Sequence, residues 1–252
     1  MNPTISAVIT SFNEERKIEK ALKSILWVNE IILVDGQSTD KTIEVAQKYA
    51  TKIISTPNDP GMMSMRNKGI EAASGDWILI LDADETIPSK LAQEIKRVLK
   101  QMRENPVAYR FPRKGYFLGK WIRHCGWYPD YQTRFFKKGH GYYKNEHVHE
   151  QVTITNGPTG TINIPYEHHS YYDFKDYLFK VRRYIEFEAG KLAQRKKPPA
   201  AVSYLLFRPI ARFFSIYIRQ RGILEGWRGL ILSFFAGYHE FMSYWKYKKL
   251  KG

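Results

Sequence analysis

At 252 residues, with 43% hydrophobic and 26% charged side chains, the chain is long enough to bury a sizeable core and lacks the composition of a disordered protein. Its single cysteine, Cys125, excludes an intrachain disulfide and fits a reducing compartment. The formal charge of +15 is unevenly placed: residues 175–252 hold 17 Lys and Arg against 5 Asp and Glu, a net of +12, which leaves +3 for the first 174. Such a basic, aromatic-rich final third suits an anionic partner, either nucleic acid or acidic lipid.

Met1-Asn2-Pro3-Thr4 leads straight into an apolar run, without a basic-then-apolar leader, so export is not expected. Ile5 to Thr10 reads as a first strand, Ser11 to Glu15 as a polar loop, and Ile18, Ala21, Leu22, Ile25 and Leu26 as one face of a helix. Glu30 to Val34 is a second strand, ending in Asp35-Gly36-Gln37-Ser38-Thr39-Asp40 ahead of a helix from about Lys41 to Tyr49. A weaker strand at Ile53-Ile54, a Gly/Pro/Met-rich loop from Pro57 to Met65 and a helix from Arg66 to Ala73 follow. Alternating strands and helices with short connections specify an α/β fold with a mostly parallel sheet flanked by helices.

The next run, Trp77 to Leu81, is five apolar residues long, as expected of a strand buried on both faces, and it runs out into Asp82-Ala83-Asp84-Glu85. If the extended geometry persists, Asp82 and Asp84 point the same way, and three anions this close repel unless something cationic sits among them. A hard divalent ion holding a phosphorylated substrate answers that need, because Mg²⁺ takes only one or two protein carboxylates. The alternative is an acidic turn, with Thr86 or Ser89 capping the helix that starts near Pro88. Ligands of such sheets bind at the carboxyl ends of the strands, where Thr10 to Glu14, Asp35 to Asp40 and Asp82 to Glu85 should converge.

Ala7-Val8-Ile9-Thr10-Ser11-Phe12-Asn13-Glu14-Glu15, Ile32-Leu33-Val34-Asp35-Gly36-Gln37-Ser38-Thr39-Asp40, Arg66-Asn67-Lys68-Gly69 and the Asp82 to Glu85 tetrad, in this order, resemble the family 2 glycosyltransferases of the GT-A fold. The likeness is close over residues 4–90 and looser over 91–175. Tyr128-Pro129-Asp130-Tyr131-Gln132-Thr133-Arg134 and Val148-His149-Glu150 resemble the small bacterial β-glucosyltransferases of lipopolysaccharide-core synthesis. The resemblance implies a Rossmann-like catalytic domain over 1–174, with a nucleotide-sugar half (1–100) and an acceptor half (101–174). It implies that Thr10, Phe12, Asn13, Glu14, Asp35, Arg66 and Asp82 border the nucleotide sugar, a UDP-linked hexose such as UDP-glucose. Asp84 would hold Mg²⁺ or Mn²⁺, with His168 as a further ligand and His149 as second choice. Inversion at the sugar needs a base for the attacking hydroxyl. Asp130 is the candidate, Glu150 its rival, and Gln132 and Arg134 would lie on the acceptor side. Pro129 stands where related enzymes commonly carry a second acid.

Five of the seven histidines fall between His140 and His169, but no HExxH or cysteine pair accompanies them, which argues against structural zinc. Asp173 to Lys196 reads as a helix with Tyr177, Val181, Tyr184 and Phe187 or Glu188 along one side. From Ser203 to Arg219, Arg208, Arg212, Ser215 and Arg219 interrupt an otherwise apolar helix, which Pro209 starts or kinks, and Gly226, Gly229, Ser233 and Gly237 stand at close-packing spacing in the next. No window is long and apolar enough to span a bilayer. Residues 175–252 are therefore expected to form a basic amphipathic helical extension lying on an anionic membrane, with packing on the catalytic domain or a homodimer as the alternatives. A lipid-linked glycan acceptor and peripheral association with the inner face of the cytoplasmic membrane fit together. A nucleotidyltransferase using the same paired acids, or a nucleic-acid-binding protein using the basic third, are the competing functions; nucleic acid is the less favoured partner.

Overall fold

The computed structural model describes residues 3–59, 62–101, 106–144, 151–195 and 200–251. In chain order the elements are β1 (Ile5–Ser11), α1 (Ile18–Lys23), β2 (Glu30–Asp35), α2 (Thr42–Ala46), β3 (Lys52–Ser55), α3 (Met63–Ala72), β4 (Trp77–Asp82), β5 (Glu85–Thr86) and α4 (Ser89–Gln101). They continue with β6 (Ala108–Phe117), β7 (Lys120–Trp121), β8 (Tyr131–Lys137), β9 (Gly141–Tyr142), β10 (Thr153–Ile154), β11 (Thr159–Thr161) and β12 (Tyr166–Tyr171). Three long helical segments follow: α5 (Phe174–Ala193), α6 (Arg208–Phe214) and α7 (Trp227–Lys251). The chain divides into two compact units, residues 1–113 with 130–168, and residues 114–129 with 169–252.

In the first unit β3-β2-β1-β4 is parallel, and the sheet continues through antiparallel β8 and β6 to β12 and β5. Alternation along the strands sends Ala7, Ile9, Leu33, Leu79 and Leu81 into one core with α1 and α4, and Val8, Ile32, Val34, Ile78 and Ile80 into another with α3. Burial on both faces explains the unbroken apolar runs of β1, β2 and β4. Each large apolar side chain so buried stabilises the unit by roughly 1.5–3 kcal/mol. Gly69 lets α3 lie directly on β1, because a Cβ there would come 2.3 Å from Val8 Cγ1.

Several expectations need adjusting. Helix α3 starts at Met63, three residues before the position read from the pattern, because Asp59 accepts from Ser64 N and Oγ at 3.0 and 2.8 Å and caps it. β11 ends at Thr161 and β12 begins at Tyr166, so His168 stands inside a strand. The extended geometry of β4 does not persist through its acids, since the chain turns at Ala83-Asp84 before β5.

The second unit is built on aromatic packing. Phe117 meets Tyr177 at 4.9 Å and Tyr171 at 5.8 Å between ring centroids, both edge-on. Helix α5 is N-capped by Asp173, which accepts from Asp176 N. Its buried face is Tyr177, Ile185, Ala189 and Leu192, so Tyr184, expected on that face, is 41% exposed instead. Residues 203–207 and 215–219 adopt wider π turns on either side of α6, and the first of them accommodates the missing N–H of Pro209 within a continuous helical run. The small residues of α7 pack within the chain. A Cβ on Gly229 would lie 1.8 Å from the Gly222 carbonyl oxygen, and one on Gly237 2.7 Å from that of Pro209. No helix among the described residues is long and apolar enough to cross a membrane.

Candidate active site

Strand order reverses between β1 and β4: β2 and β3 extend the sheet on one side of β1, while β4 returns on the other. At such a switch point the loops beyond the strand ends part and leave a crevice. The register sets Thr10 beside Asp82 and Ser11 beside Asp35, so the three polar clusters emerge from one sheet edge.

The β1 and β2 loops are laced together. Asn13, at φ +54°, donates its N–H to Ser38 Oγ and accepts from Thr39 N through Oδ1, at 2.9 and 2.8 Å. Glu14 N donates to Thr42 Oγ1 at 2.8 Å, while the Glu14 carboxylate lies 3.2 Å from Lys17 Nζ. Asp35 is fully buried, accepting from Ser11 Oγ at 2.9 Å and from Ser38 N and Oγ at 2.7 and 2.6 Å. Phe12 is half-buried at the bend after β1, and Thr10 is buried with Oγ1 3.5 Å from Asp82 Oδ1. The first donors of α2 are already engaged: Glu15 accepts from Lys41 N and Asp40 from Thr42 N.

The acids at the end of β4 find their cations within the protein. Asp82 accepts from Arg66 Nη2 at 2.5 Å and from Arg134 Nη2 at 3.1 Å. Arg134 Nη2 also donates to Glu85 Oε1 at 2.6 Å, and Glu85 Oε2 accepts from Asp82 N. Two guanidiniums thus supply the charge between the acids that the sequence assigned to a metal alone. Burial acts to raise the Asp82 carboxyl, but the charges of Arg66 and Arg134 outweigh it and hold the group well below the usual carboxylate range. Glu85 lies deeper, and there burial prevails over the pull of Arg134 and pushes its carboxyl up. Each guanidinium also rests on a ring, Arg66 over Tyr143 at 5.1 Å and Arg134 over Tyr166 at 5.7 Å. Asn67 fixes the first ring's backbone by donating to Tyr143 O and accepting from Tyr143 N. Both arginines keep a buried Nε with no acceptor among the described residues, as suits a pocket for an oxyanion.

The turn at Ala83 sends Asp84 elsewhere. Its Oδ1 stands 3.3 Å from His168 Nε2, on the strand that pairs β5 with His168 opposite Glu85. Two ligands in neighbouring positions of an octahedral Mg²⁺ shell sit about 3 Å apart, so the spacing of this pair is compatible with two protein ligands to one divalent ion. No group of three or more acidic, histidine or cysteine ligands arranged for a metal occurs among the described residues.

Asp130 opens β8. Its Oδ1 accepts from Gln132 Nε2 at 2.8 Å and its Oδ2 lies 2.5 Å from Arg113 Nη2, while Arg113 N donates to its backbone carbonyl at 2.7 Å. The sequence reading did not single out Arg113 as the partner of Asp130, because nothing in Phe111-Pro112-Arg113 distinguishes it from a strand's solvent face. Its guanidinium also feels Tyr166, Glu85 and Arg134, which joins the Asp130 pair electrostatically to the Asp82 network. Glu150 and His149, the second choices for base and metal ligand, lie outside the described residues.

A cavity of about 480 Å³ also opens in the second unit, lined by Trp127, Tyr171 and Tyr184 among others, but it holds no paired acids.

Comparison with known proteins agrees with this assembly. The family model described as glycosyl transferase family 2 matches residues 6–155, more than half of the chain. The chain is 26% identical over 251 residues to the lipopolysaccharide core biosynthesis glycosyltransferase LpsC of Rhizobium meliloti, covering 91% of this chain and 89% of that one. It is 25% identical over 258 residues to an uncharacterized glycosyltransferase of Rickettsia bellii, covering 98% and 86%. Among solved structures, S. aureus TarS 1-349 in complex with UDP superposes with a TM-score of 0.52 at 13% identity, covering 98% of this chain and 91% of that one, and so shares its fold. With the parallel sheet, the acids ending β4 and the match over both, the chain belongs to glycosyl transferase family 2 and is a glycosyltransferase of the GT-A fold.

Proposed function

We propose that the protein moves a hexose from a UDP-linked donor, with inversion, onto a lipid-linked glycan such as a lipopolysaccharide core, at the inner face of the cytoplasmic membrane. The observation that carries the reading is the division of labour among the acids: Asp82 and Glu85 are bound to Arg66 and Arg134, while Asp84 pairs with His168. Residues 1–100 would carry the donor, with Arg134 and His168 reaching it from the acceptor half, 101–174, and residues 175–252 would carry the membrane contact. The likeness to LpsC supports the acceptor class, and the UDP bound by TarS supports the donor class.

Thr10, Phe12, Asn13 and Glu14 would border the nucleotide, with Asp35 bracing their loop through Ser38 or accepting from the base. Arg66 and Arg134 would lend their Nε donors to diphosphate oxygens. When bound, a divalent ion held by Asp84 and His168 would neutralise the departing diphosphate as a Lewis acid. Asp130 would accept the proton of the acceptor hydroxyl as that oxygen bonds to the anomeric carbon. The sugar–phosphate bond breaks in the same displacement, its electron pair leaves with the nucleoside diphosphate, and the anomeric centre inverts. Gln132 and Arg113 hold the Asp130 carboxylate by one oxygen each, which fixes its direction while leaving lone pairs for the incoming proton.

The test is transfer from a panel of nucleotide-activated hexoses to detergent-solubilised core lipid, with the product's anomeric configuration read by NMR. The proposal expects a β-linked product from an α-linked UDP-hexose. A retained configuration, or turnover only with non-uridine donors, would contradict it.

A further inference from the structure

Helix α7 carries an apolar stripe that the described residues of its own unit leave largely exposed. Trp227, Leu230, Phe234, Tyr238, Phe241 and Trp245 follow one another at steps of three, four, four, three and four residues, one face of a helix, and each is between 38% and 56% exposed. The opposite face is already in use, with Gly229, Ser233, Gly237, Tyr244 and Tyr247 buried within the unit. The stripe is thus additional to the intramolecular packing face, and at 1.5 Å per residue it runs for about 27 Å. In the same unit Leu206, Ile210, Phe214 and Ile218 form a second exposed row, and the turn before α7 exposes Ile223 and Leu224. Contiguous apolar surface on this scale marks an interaction site.

The charges select the partner. Residues 200–251 hold nine Lys and Arg against two acids. Both acids are paired within the chain, Glu225 with Lys120 and His124 and Glu240 with Arg208. A second copy would bring the same cations against one another, whereas an anionic bilayer supplies apolar depth and negative charge together. The two tryptophans at the ends of the stripe each carry a cation on the ring, Arg228 at 4.4 Å from Trp227 and Lys249 at 3.7 Å from Trp245. Aromatic rings joined to cations belong at headgroup level, and finding one at either end requires the helix to lie flat rather than enter end-on.

We propose that α7 lies parallel to the surface of an anionic bilayer, its Trp227–Trp245 stripe immersed at the level of the headgroups. The inference rests on the membrane contact in the functional reading above and is independent of its donor and acceptor.

The experiment uses the full chain with vesicles of phosphatidylcholine, with and without phosphatidylglycerol, in co-sedimentation and in quenching of tryptophan fluorescence by brominated lipids. Binding to the anionic vesicles is expected, weakened about tenfold or more by Leu230→Glu combined with Phe234→Glu. Trp227→Phe and Trp245→Phe should each remove a comparable share of the quenching, with bromine shallow in the bilayer the more effective quencher. Both glutamate positions are exposed, and an unchanged melting curve and unchanged UDP binding in that variant separate failure of this face from failure of the fold or of the donor site. Three results would overturn the proposal: no vesicle binding by the folded wild type, binding indifferent to the two glutamates, or a wild-type dimer that they convert to monomer without a vesicle effect.

Discussion

Arg134 Nη2 lies 2.6 Å from Glu85 Oε1 and 3.1 Å from Asp82 Oδ2, a buried cation held between the first and last acids of the tetrad. Burial acts to lower the Arg134 guanidinium, but the charge of Glu85 and its neighbours keeps it well above the ordinary arginine value. A buried pair stripped of one partner leaves the other uncompensated, at a cost of about 3–5 kcal/mol. Glu85→Ala should therefore destabilise the protein by that order, and Glu85→Gln, which keeps an acceptor for Arg134, by less. The midpoint of urea unfolding at constant slope measures both.

Asp84 and His168 should behave differently from Asp82 and Glu85. Asp84→Ala is expected to lower turnover at least about a hundredfold with little change in melting temperature, because the proposed function gives its carboxylate to the divalent ion. His168→Ala should weaken Mn²⁺ affinity about 10- to 100-fold. Titration of the divalent ion against UDP release at fixed donor reads both, and a variant of either residue with wild-type metal dependence would contradict the assignment.

Asp130→Asn keeps a group that can accept from Gln132 and removes the carboxylate proposed as the base. Loss of a general base typically costs about 10²- to 10⁴-fold in rate. The fall should appear in kcat while donor affinity is unchanged. Arg113→Lys should lower kcat less, since it keeps the charge and gives up the guanidinium geometry that orients the carboxylate.

Glu225 gives the second unit a dependence on acid. It accepts from Arg123 N, His124 N and His124 Nδ1 at 2.9, 3.1 and 2.7 Å and pairs with Lys120. Burial acts to raise its carboxyl, but the hydrogen bonds from Lys120, His124 and the backbone prevail and lower it to about 2, well below the usual carboxylate range. A carboxyl depressed in the folded state contributes stability that is fully present above about pH 4.5 and lost as the pH falls toward 2. The contribution is on the order of 3 kcal/mol. Glu225→Gln should flatten the melting temperature of the second unit across that window and lower it at neutral pH.

What the sequence revealed and what it hid divide along contact range. β1, β2 and β4 were legible because burial on both faces writes itself as unbroken apolar runs, and their acidic ends followed from the topology of parallel sheets. The pairing of Arg134 with Asp82 was not, since 52 residues separate them and such a separation leaves no periodic trace; His168, 84 residues from Asp84, was offered by the family resemblance and not by any pattern in the chain. Arg113 and Glu225 were hidden for the same reason. Local turns also defeated pattern reading: the bend at Ala83 divides Asp82 from Asp84, which a continued strand would have aimed together. Gly229, Ser233 and Gly237 announced close packing correctly, whereas Gly226, just before α7, has open space where a Cβ would stand; the aromatic stripe emerged only once that packing showed which face was left over.

The central claim, that Asp84 completes a metal-dependent site for a uridine diphosphate, is tested most directly by calorimetric titration of UDP with and without Mn²⁺ into wild type and Asp84→Ala. The account predicts UDP binding that strengthens with Mn²⁺ in the wild type, and loss of that metal enhancement in the variant while its fold is retained. Metal-enhanced UDP binding undiminished in Asp84→Ala, or no binding of UDP by the folded wild type, would contradict it.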